Sequence, residues 1–157
     1  MTSPLVALAM RAATLRAGSE APASAFSEYP AMPKPRRSIS GIAAGLYLGG
    51  ARPTVMLQSS GLGNSLNAIT SLLVPYKIPV LMVISMRGDA GEWNDAQVPM
   101  GRAVRPICDA IGVPHVTVGS GDRAQELVAL AGRTAFGTRI PGACLLPRRV
   151  TAPTAQS

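Results

Sequence analysis

The segment from Thr54 to Leu73 constrains the fold of this chain more than any other. Thr54-Val-Met-Leu-Gln58 is a run of strand-forming residues; a small polar segment holding Gly61 and Gly63 follows, then an apolar pattern at Leu66, Ile69, Leu72 and Leu73. β-Branched and long apolar residues suit a pleated strand, and apolar spacings of three and four mark a helix with one buried face. Strand, glycine turn and helix start form a βα unit, the place where parallel α/β proteins hold ligands. There the glycines let backbone come close to a ligand, and the first N–H groups of the helix lack partners within it. The expectation is a glycine turn followed by a helix from about Asn64 to Val74, with Asn64 as its N-cap.

The same grammar repeats along the chain. Ser40 is placed as the cap of a helix running through Leu48 and ended by Gly49-Gly50, and Val80 to Ser85 is the most apolar strand. A polar loop from Arg87 to Gln97 leads into a helix from Val98 to Ile111, with Gly112 as its stop. Pro114 to Val118 reads as a strand, Asp122 as the cap of a helix to about Ala135, and Gly142 to Leu146 as a last strand. Strands alternating with helices predict an α/β fold: a doubly wound, mainly parallel sheet with helices on both faces. Right-handed crossovers would bring the glycine turn and the polar loop to one edge. Leu5 to Leu15 could form a short Ala-rich helix, but residues 1–40 are otherwise rich in Ala, Ser, Pro, Gly and Arg. That composition buries too little apolar area to offset chain entropy, so the segment is expected to be poorly ordered or divergent. Residues 148–157 are expected to form a flexible tail.

A length of 157 residues suits one domain. With 47% hydrophobic but only 4% aromatic residues, the core must be built from Ala, Val, Leu, Ile and Met, as in buried parallel sheets. The net charge of +7 raises nucleic-acid binding, but the basic residues are scattered, with no Lys/Arg run longer than two and little aromatic interleaving. An anionic substrate or an acidic partner would use the same surplus. Cys108 and Cys144 have no metal or redox spacing and read as small buried hydrophobes. No apolar run approaches the ~18 residues of a membrane span, and Pro4 to Met10 is too short for a secretory signal, which points to a cytoplasmic protein.

Three blocks carry a resemblance: Gly41-Ile-Ala-Ala-Gly-Leu-Tyr-Leu-Gly-Gly50; Met56-Leu-Gln-Ser-Ser-Gly-Leu-Gly-Asn-Ser-Leu-Asn67; and Met86-Arg-Gly88 with Gln97-Val-Pro-Met-Gly101. In order and spacing the chain resembles, over roughly residues 41–147, the alpha subunit of sulfopyruvate decarboxylase and the matching half of phosphonopyruvate decarboxylase. These are thiamine-diphosphate-dependent 2-oxo-acid decarboxylases. The resemblance implies a pyrimidine-binding domain that shares the cofactor with a beta subunit. The partner would hold the diphosphate and Mg²⁺, because this chain has no Gly-Asp-Gly followed by a downstream Asn, and no metal ligand of its own is assigned. Ser60, Gly61, Leu62, Gly63 and Asn64 would lie beside the cofactor, with Gln97 close to it. The substrate would be an anionic 2-oxo acid such as 3-sulfopyruvate or 3-phosphonopyruvate.

Arg87 offers a planar fork suited to carboxylate, sulfonate or phosphonate, and Asn67 is a second substrate candidate. The competing reading of Arg87 is a structural ion pair with Asp89, Glu92 or Asp95. Trp93 suits a subunit interface as well as a substrate, and His115 reads as structural. One departure stands out. Thiamine enzymes of this kind place a glutamate seven residues before the first Ala of an Ala-x-Gly helix motif, to hydrogen-bond the pyrimidine nitrogen. Here that motif is Ala43-Ala44-Gly45, and the corresponding position is Arg36. Arginine has no acceptor and no proton to exchange, so the catalytic group is unassigned. The alternative is a catalytically silent homologue acting as a binding or structural subunit. A third reading, a small nucleotide or flavin module, has only generic fold logic behind it.

Overall fold

A computed structural model describes residues 38–89, 92–119 and 124–151. Helix α1 (Ile39–Leu48) starts after Ser38, so Ser40 is not its cap but a buried residue inside it. The helix ends at the expected glycines: the N–H of Gly49 donates to the Gly45 carbonyl at 3.0 Å and that of Gly50 to the Tyr47 carbonyl at 2.9 Å, with Gly50 at φ +88°.

Strand β1 (Thr54–Gln58) has the predicted bounds. The next element does not. Helix α2 (Ser59–Ala68) begins directly at the strand end with Gln58 as its N-cap, so Gly61 and Gly63 lie inside the helix and Asn64 is not a cap. The glycines are there for contact. A Cβ on Gly61 would sit 3.0 Å from the Leu57 Cβ, and one on Gly63 would sit 3.1 Å from the Met100 sulfur. Their lack of side chains lets the helix lie against its own strand and against a later helix. The low helix propensity of glycine is overridden by that packing. Past Ala68 the helix widens into a π turn, Ile69–Leu73, where the Thr70 hydroxyl donates to the Leu66 and Asn67 carbonyls at 3.0 and 3.2 Å. Hydroxyl bonds of this kind compete with the backbone ladder and accompany such distortions.

Strand β2 (Leu81–Ser85) is followed by the polar loop, which carries a 3₁₀ turn at Asp95–Gln97. Helix α3 (Val98–Ala110), strand β3 (His115–Thr117), helix α4 (Ala124–Thr138) and strand β4 (Gly142–Leu146) come next. Asp122, the expected cap of α4, lies outside the described residues. Beyond Pro147, where a loose tail was expected, the chain makes another helical turn, α5 (Arg148–Thr151).

The strands form one parallel sheet in the order β1-β2-β4-β3, with Thr54 opposite Leu81, Leu81 opposite Gly142, and His115 opposite Ala143. The fold is α/β, as the alternation predicts. Leu81, Met82, Val83 and Ile84 of central β2 are all buried, because helices cover both of its faces. Met82, Ile84, Ala143 and Leu145 pack with Leu62 of α2, Ile69 of the π turn, and Val104 and Cys108 of α3. Leu81, Val83 and Cys144 pack with Ala124 and Ala131 of α4 on the opposite face. Strand β1 is an edge with no outer neighbour among the described strands, and its Met56 is 40% exposed. No helix among the described residues is long and apolar enough to cross a membrane.

Candidate functional site

Parallel pairing places the C-terminal ends of all four strands on one edge, and the segments leaving β1 and β2 meet there. Ser59, the first residue of α2, is fully buried, and its hydroxyl accepts the Arg87 N–H at 3.0 Å. This bond ties the start of the glycine-containing helix to the start of the polar loop. Gly88 has φ +73°, a conformation costly for other residues, and a Cβ there would come within 2.8 Å of the Val98 carbonyl oxygen. Gly101, on the first turns of α3, is tighter still: a Cβ would meet the Arg87 carbonyl at 1.8 Å. The two halves of the third sequence block therefore meet through bare backbone, and the second block joins them through the Ser59 hydroxyl and through Met100 packed over Gly63.

The start of α2 has no side-chain cap and no acidic residue in its first turn. Among the described residues no side chain caps its leading N–H groups, which leaves them to an acceptor. Ser60, Gly61 and Gly63 are half-buried there, Asn64 is exposed, and Leu62 is fully buried. The Leu62 side chain belongs to the core, packed with Val104 and Ile84, so any part it has beside a ligand is through backbone. Asn67 is exposed, and its side-chain oxygen accepts from the Ser71 hydroxyl at 3.3 Å, a bond local to the helix. Gln97 is half-buried at the N-cap of α3 and presents its carbonyl to Gly88.

Arg87 has an internal partner. Its Nε and Nη2 donate to the two carboxylate oxygens of Glu92 at 2.7 and 3.0 Å, the ion-pair reading raised by the sequence. Glu92 also accepts the N–H groups of Gly88 at 3.3 Å and Asn94 at 3.1 Å, and its side chain is only 2% exposed. These bonds, those from Arg87 foremost, hold the Glu92 carboxyl well below the usual carboxylate range despite its desolvation, and Glu92 raises Arg87 in turn. The Arg87 side chain keeps 23% exposure, and its Nη1 has no hydrogen-bond partner among the described residues. More cations gather nearby. The Arg148 Nη1 lies 3.9 Å from Glu92, and Arg105 reaches both the Thr117 hydroxyl at 3.4 Å and Asp89 at 3.9 Å. The second carboxylate oxygen of Asp89 is buried and has no hydrogen-bond partner among the described residues. Ser59 and Glu92 are the functional candidates that sequence reasoning left off the site. Glu92 figured there only as one of three loop acids, and nothing local singled out Ser59 over Ser60.

Other candidates lie elsewhere. His115 opens β3 at the opposite edge of the sheet, 3.7 Å from Asp109. A depression of about 120 Å³ lies beside it, lined by Leu130, Thr134 and Gly142 among others, remote from the converging blocks. Trp93 is 76% exposed on the loop. Cys108 and Cys144 are free and buried, as expected, and burial pushes both thiols up to about 11. Arg36, at the expected glutamate position, lies outside the described residues.

No protein-family model matches the chain. Curated proteins do. The chain is 41% identical over 106 residues to the sulfopyruvate decarboxylase subunit alpha of Methanococcus maripaludis, covering 68% of this chain and 64% of that one. It is 39% identical over 105 residues to the subunit of the same name from Methanocaldococcus jannaschii, covering 67% and 62%. A phosphonopyruvate decarboxylase of Streptomyces viridochromogenes is more distant, at 34% over 113 residues, covering 71% of this chain and 28% of that one. The chain is thus a homologue of sulfopyruvate decarboxylase alpha subunits, and its match spans a little under two thirds of their length.

Proposed function

We propose that this homologue of sulfopyruvate decarboxylase alpha subunits holds the aminopyrimidine end of thiamine diphosphate at the start of α2 and takes an anionic 2-oxo acid, 3-sulfopyruvate or 3-phosphonopyruvate, at Arg87. A beta-type chain completes the assembly with the diphosphate and Mg²⁺ site. The observation that carries this reading is the convergence of Ser59–Gly63, Arg87–Gly88 and Gln97–Gly101 at the C-terminal edge of the sheet, the place where open α/β folds bind ligands. The sulfopyruvate and phosphonopyruvate decarboxylase names of the relatives support an anionic 2-oxo acid as the substrate class.

The described residues fit the cofactor in one respect and not in another. An uncapped helix start without acids offers the Ser60 and Gly61 N–H groups to ring acceptors. Gly63 lets the helix pack close behind them, the exposed Asn64 side chain lies one turn further on, and Gln97 sits beside them, so this segment suits the holding of the pyrimidine. They do not suit its activation. Glu92 is fully engaged by Arg87, Gly88 and Asn94, and the position expected to carry the activating carboxylate is Arg36. Bound there, thiamine diphosphate would supply the electron sink that loss of carbon dioxide from a 2-oxo acid requires. The protein's part is to orient and neutralise the anion, and Arg87 backed by Arg105 and Arg148 supplies positive charge at that edge. Arg36 also favours a second reading, a silent subunit that keeps the fold and the assembly surface without turnover.

A partner surface accompanies this reading. Ile39, Ile42 and Leu46 on α1 are 43%, 50% and 52% exposed, and Met56 lies on the open edge strand. A cluster of exposed aliphatic side chains suits burial against another chain. The deciding experiment is co-expression with a beta-type subunit, followed by carbon dioxide release from sulfopyruvate with thiamine diphosphate and Mg²⁺, for the native chain and for Arg36→Glu. Turnover by the native pair establishes the decarboxylase reading. A stable complex that turns over only with Arg36→Glu supports the silent subunit, and failure to form a complex or bind cofactor refutes both.

A further inference from the structure

We infer that Glu92 is a positioning residue for the second anionic group of the substrate: it grips Arg87 at two points so that Nη1 is the guanidinium nitrogen left for a ligand, and Ser59 fixes the backbone from which that grip is made. The inference rests on the decarboxylase reading above and adds two residues to it. An arginine side chain free in solution samples many rotamers, and a ligand that uses it must order it. Here the ordering is done beforehand. Nε and Nη2 are held at 2.7 and 3.0 Å by a carboxylate that is itself 2% exposed and fixed by the Gly88 and Asn94 N–H groups. The same grip starts from a fixed point, because the Arg87 N–H is bonded to the Ser59 hydroxyl, which is fully buried at the first residue of α2.

Charge and geometry act in opposite directions at this site, and the test must separate them. Removing the carboxylate charge would raise the local positive potential and attract an anion, masking any loss of orientation. Glu92→Asp keeps the charge and withdraws the carboxylate by one methylene, so it cannot satisfy both guanidinium nitrogens and the two loop N–H groups together. Ser59→Ala changes no charge and removes only the acceptor of the Arg87 N–H. The measurement is calorimetric binding of sulfopyruvate and of pyruvate to the assembled two-chain complex without thiamine. Pyruvate lacks the second anion, so general loosening of the site weakens both ligands alike, whereas lost positioning of Arg87 weakens sulfopyruvate alone.

The expected result is a sulfopyruvate preference over pyruvate in the native complex that falls about 10-fold in Glu92→Asp and severalfold in Ser59→Ala. A preference that survives both substitutions within about 2-fold overturns the inference and leaves the decarboxylase reading standing. A native complex with no preference refutes the placement of the anion at Arg87, and this inference with it. Should Glu92→Asp fail to assemble, Ser59→Ala decides alone.

Discussion

Gly101→Ala is the most demanding single-atom test of how this edge is built. An alanine Cβ at that position would lie 1.8 Å from the Arg87 carbonyl oxygen, 2.4 Å from its carbon and 2.9 Å from the Gly88 nitrogen. Ordinary carbon–oxygen contacts are no closer than about 3.3 Å, so α3 and the loop must part by roughly 1.5 Å. Neither side gives easily. The loop backbone is held by the Ser59 hydroxyl and follows directly from central β2, while Val104 and Cys108 anchor α3 in the core. Overpacking against movable side chains costs about 1–3 kcal/mol; against anchored backbone the expectation is at or above the upper end, more than about 3 kcal/mol. Two controls calibrate it. Gly112→Ala meets open space but must adopt φ +68°, a cost of about 1 kcal/mol. Gly45→Ala meets nothing within 4 Å in the last turns of α1 and should gain up to about 0.8 kcal/mol. Urea unfolding of the purified chain at pH 7 should rank them Gly45→Ala, native, Gly112→Ala and, far below, Gly101→Ala. If Gly101→Ala lost less than about 1 kcal/mol, or less than Gly112→Ala, the backbone-to-backbone contact would not exist as described.

Other consequences are open to simpler assays. The Glu92 carboxyl is held low by its partners, so its contribution to stability is present above the unfolded carboxylate pKa of about 4.3 and is lost as pH falls toward its lower folded value. Melting temperature should therefore hold between pH 7 and about 5 and drop below about 4, with a shallower acid limb in Glu92→Gln; parallel limbs would mean that Glu92 has no such role. Cys108 and Cys144, buried and raised to about 11, should resist iodoacetamide at pH 8 in the native chain and react fully in denaturant, and rapid native labelling would contradict their burial. Ile42→Asp and Leu46→Asp, on the exposed side of α1, should change the stability of the isolated chain by less than about 0.5 kcal/mol yet abolish co-purification with a beta-type subunit. Undiminished co-purification would move the assembly surface away from α1.

The sequence was most legible where the information is local. Strands β1 and β4 are short apolar runs behind Pro53 and Pro141, and the bounds read from them match the structure. The start of α2 was illegible for the same reason in reverse. Gly61 and Gly63 disfavour helix on propensity, so a local reading makes a turn of them, and only Leu57 and the distant Met100 explain why glycine belongs inside a helix there. The loop acids pose a similar problem. Asp89, Glu92 and Asp95 are equivalent partners for Arg87 by spacing, and the Gly88 and Asn94 N–H groups single out Glu92 by fixing its carboxylate. This difference sorts the motif residues by what they touch. Gly61, Gly63, Gly88 and Gly101 meet other parts of the chain, and Leu62 sits in the core, so activity lost on substituting them tracks lost packing. Ser60, Asn64 and the outer nitrogen of Arg87 are not consumed in that way, so they are the positions where activity can fall while stability holds. A substitution series on the glycines tests the scaffold. Only the second group tests the chemistry proposed for it.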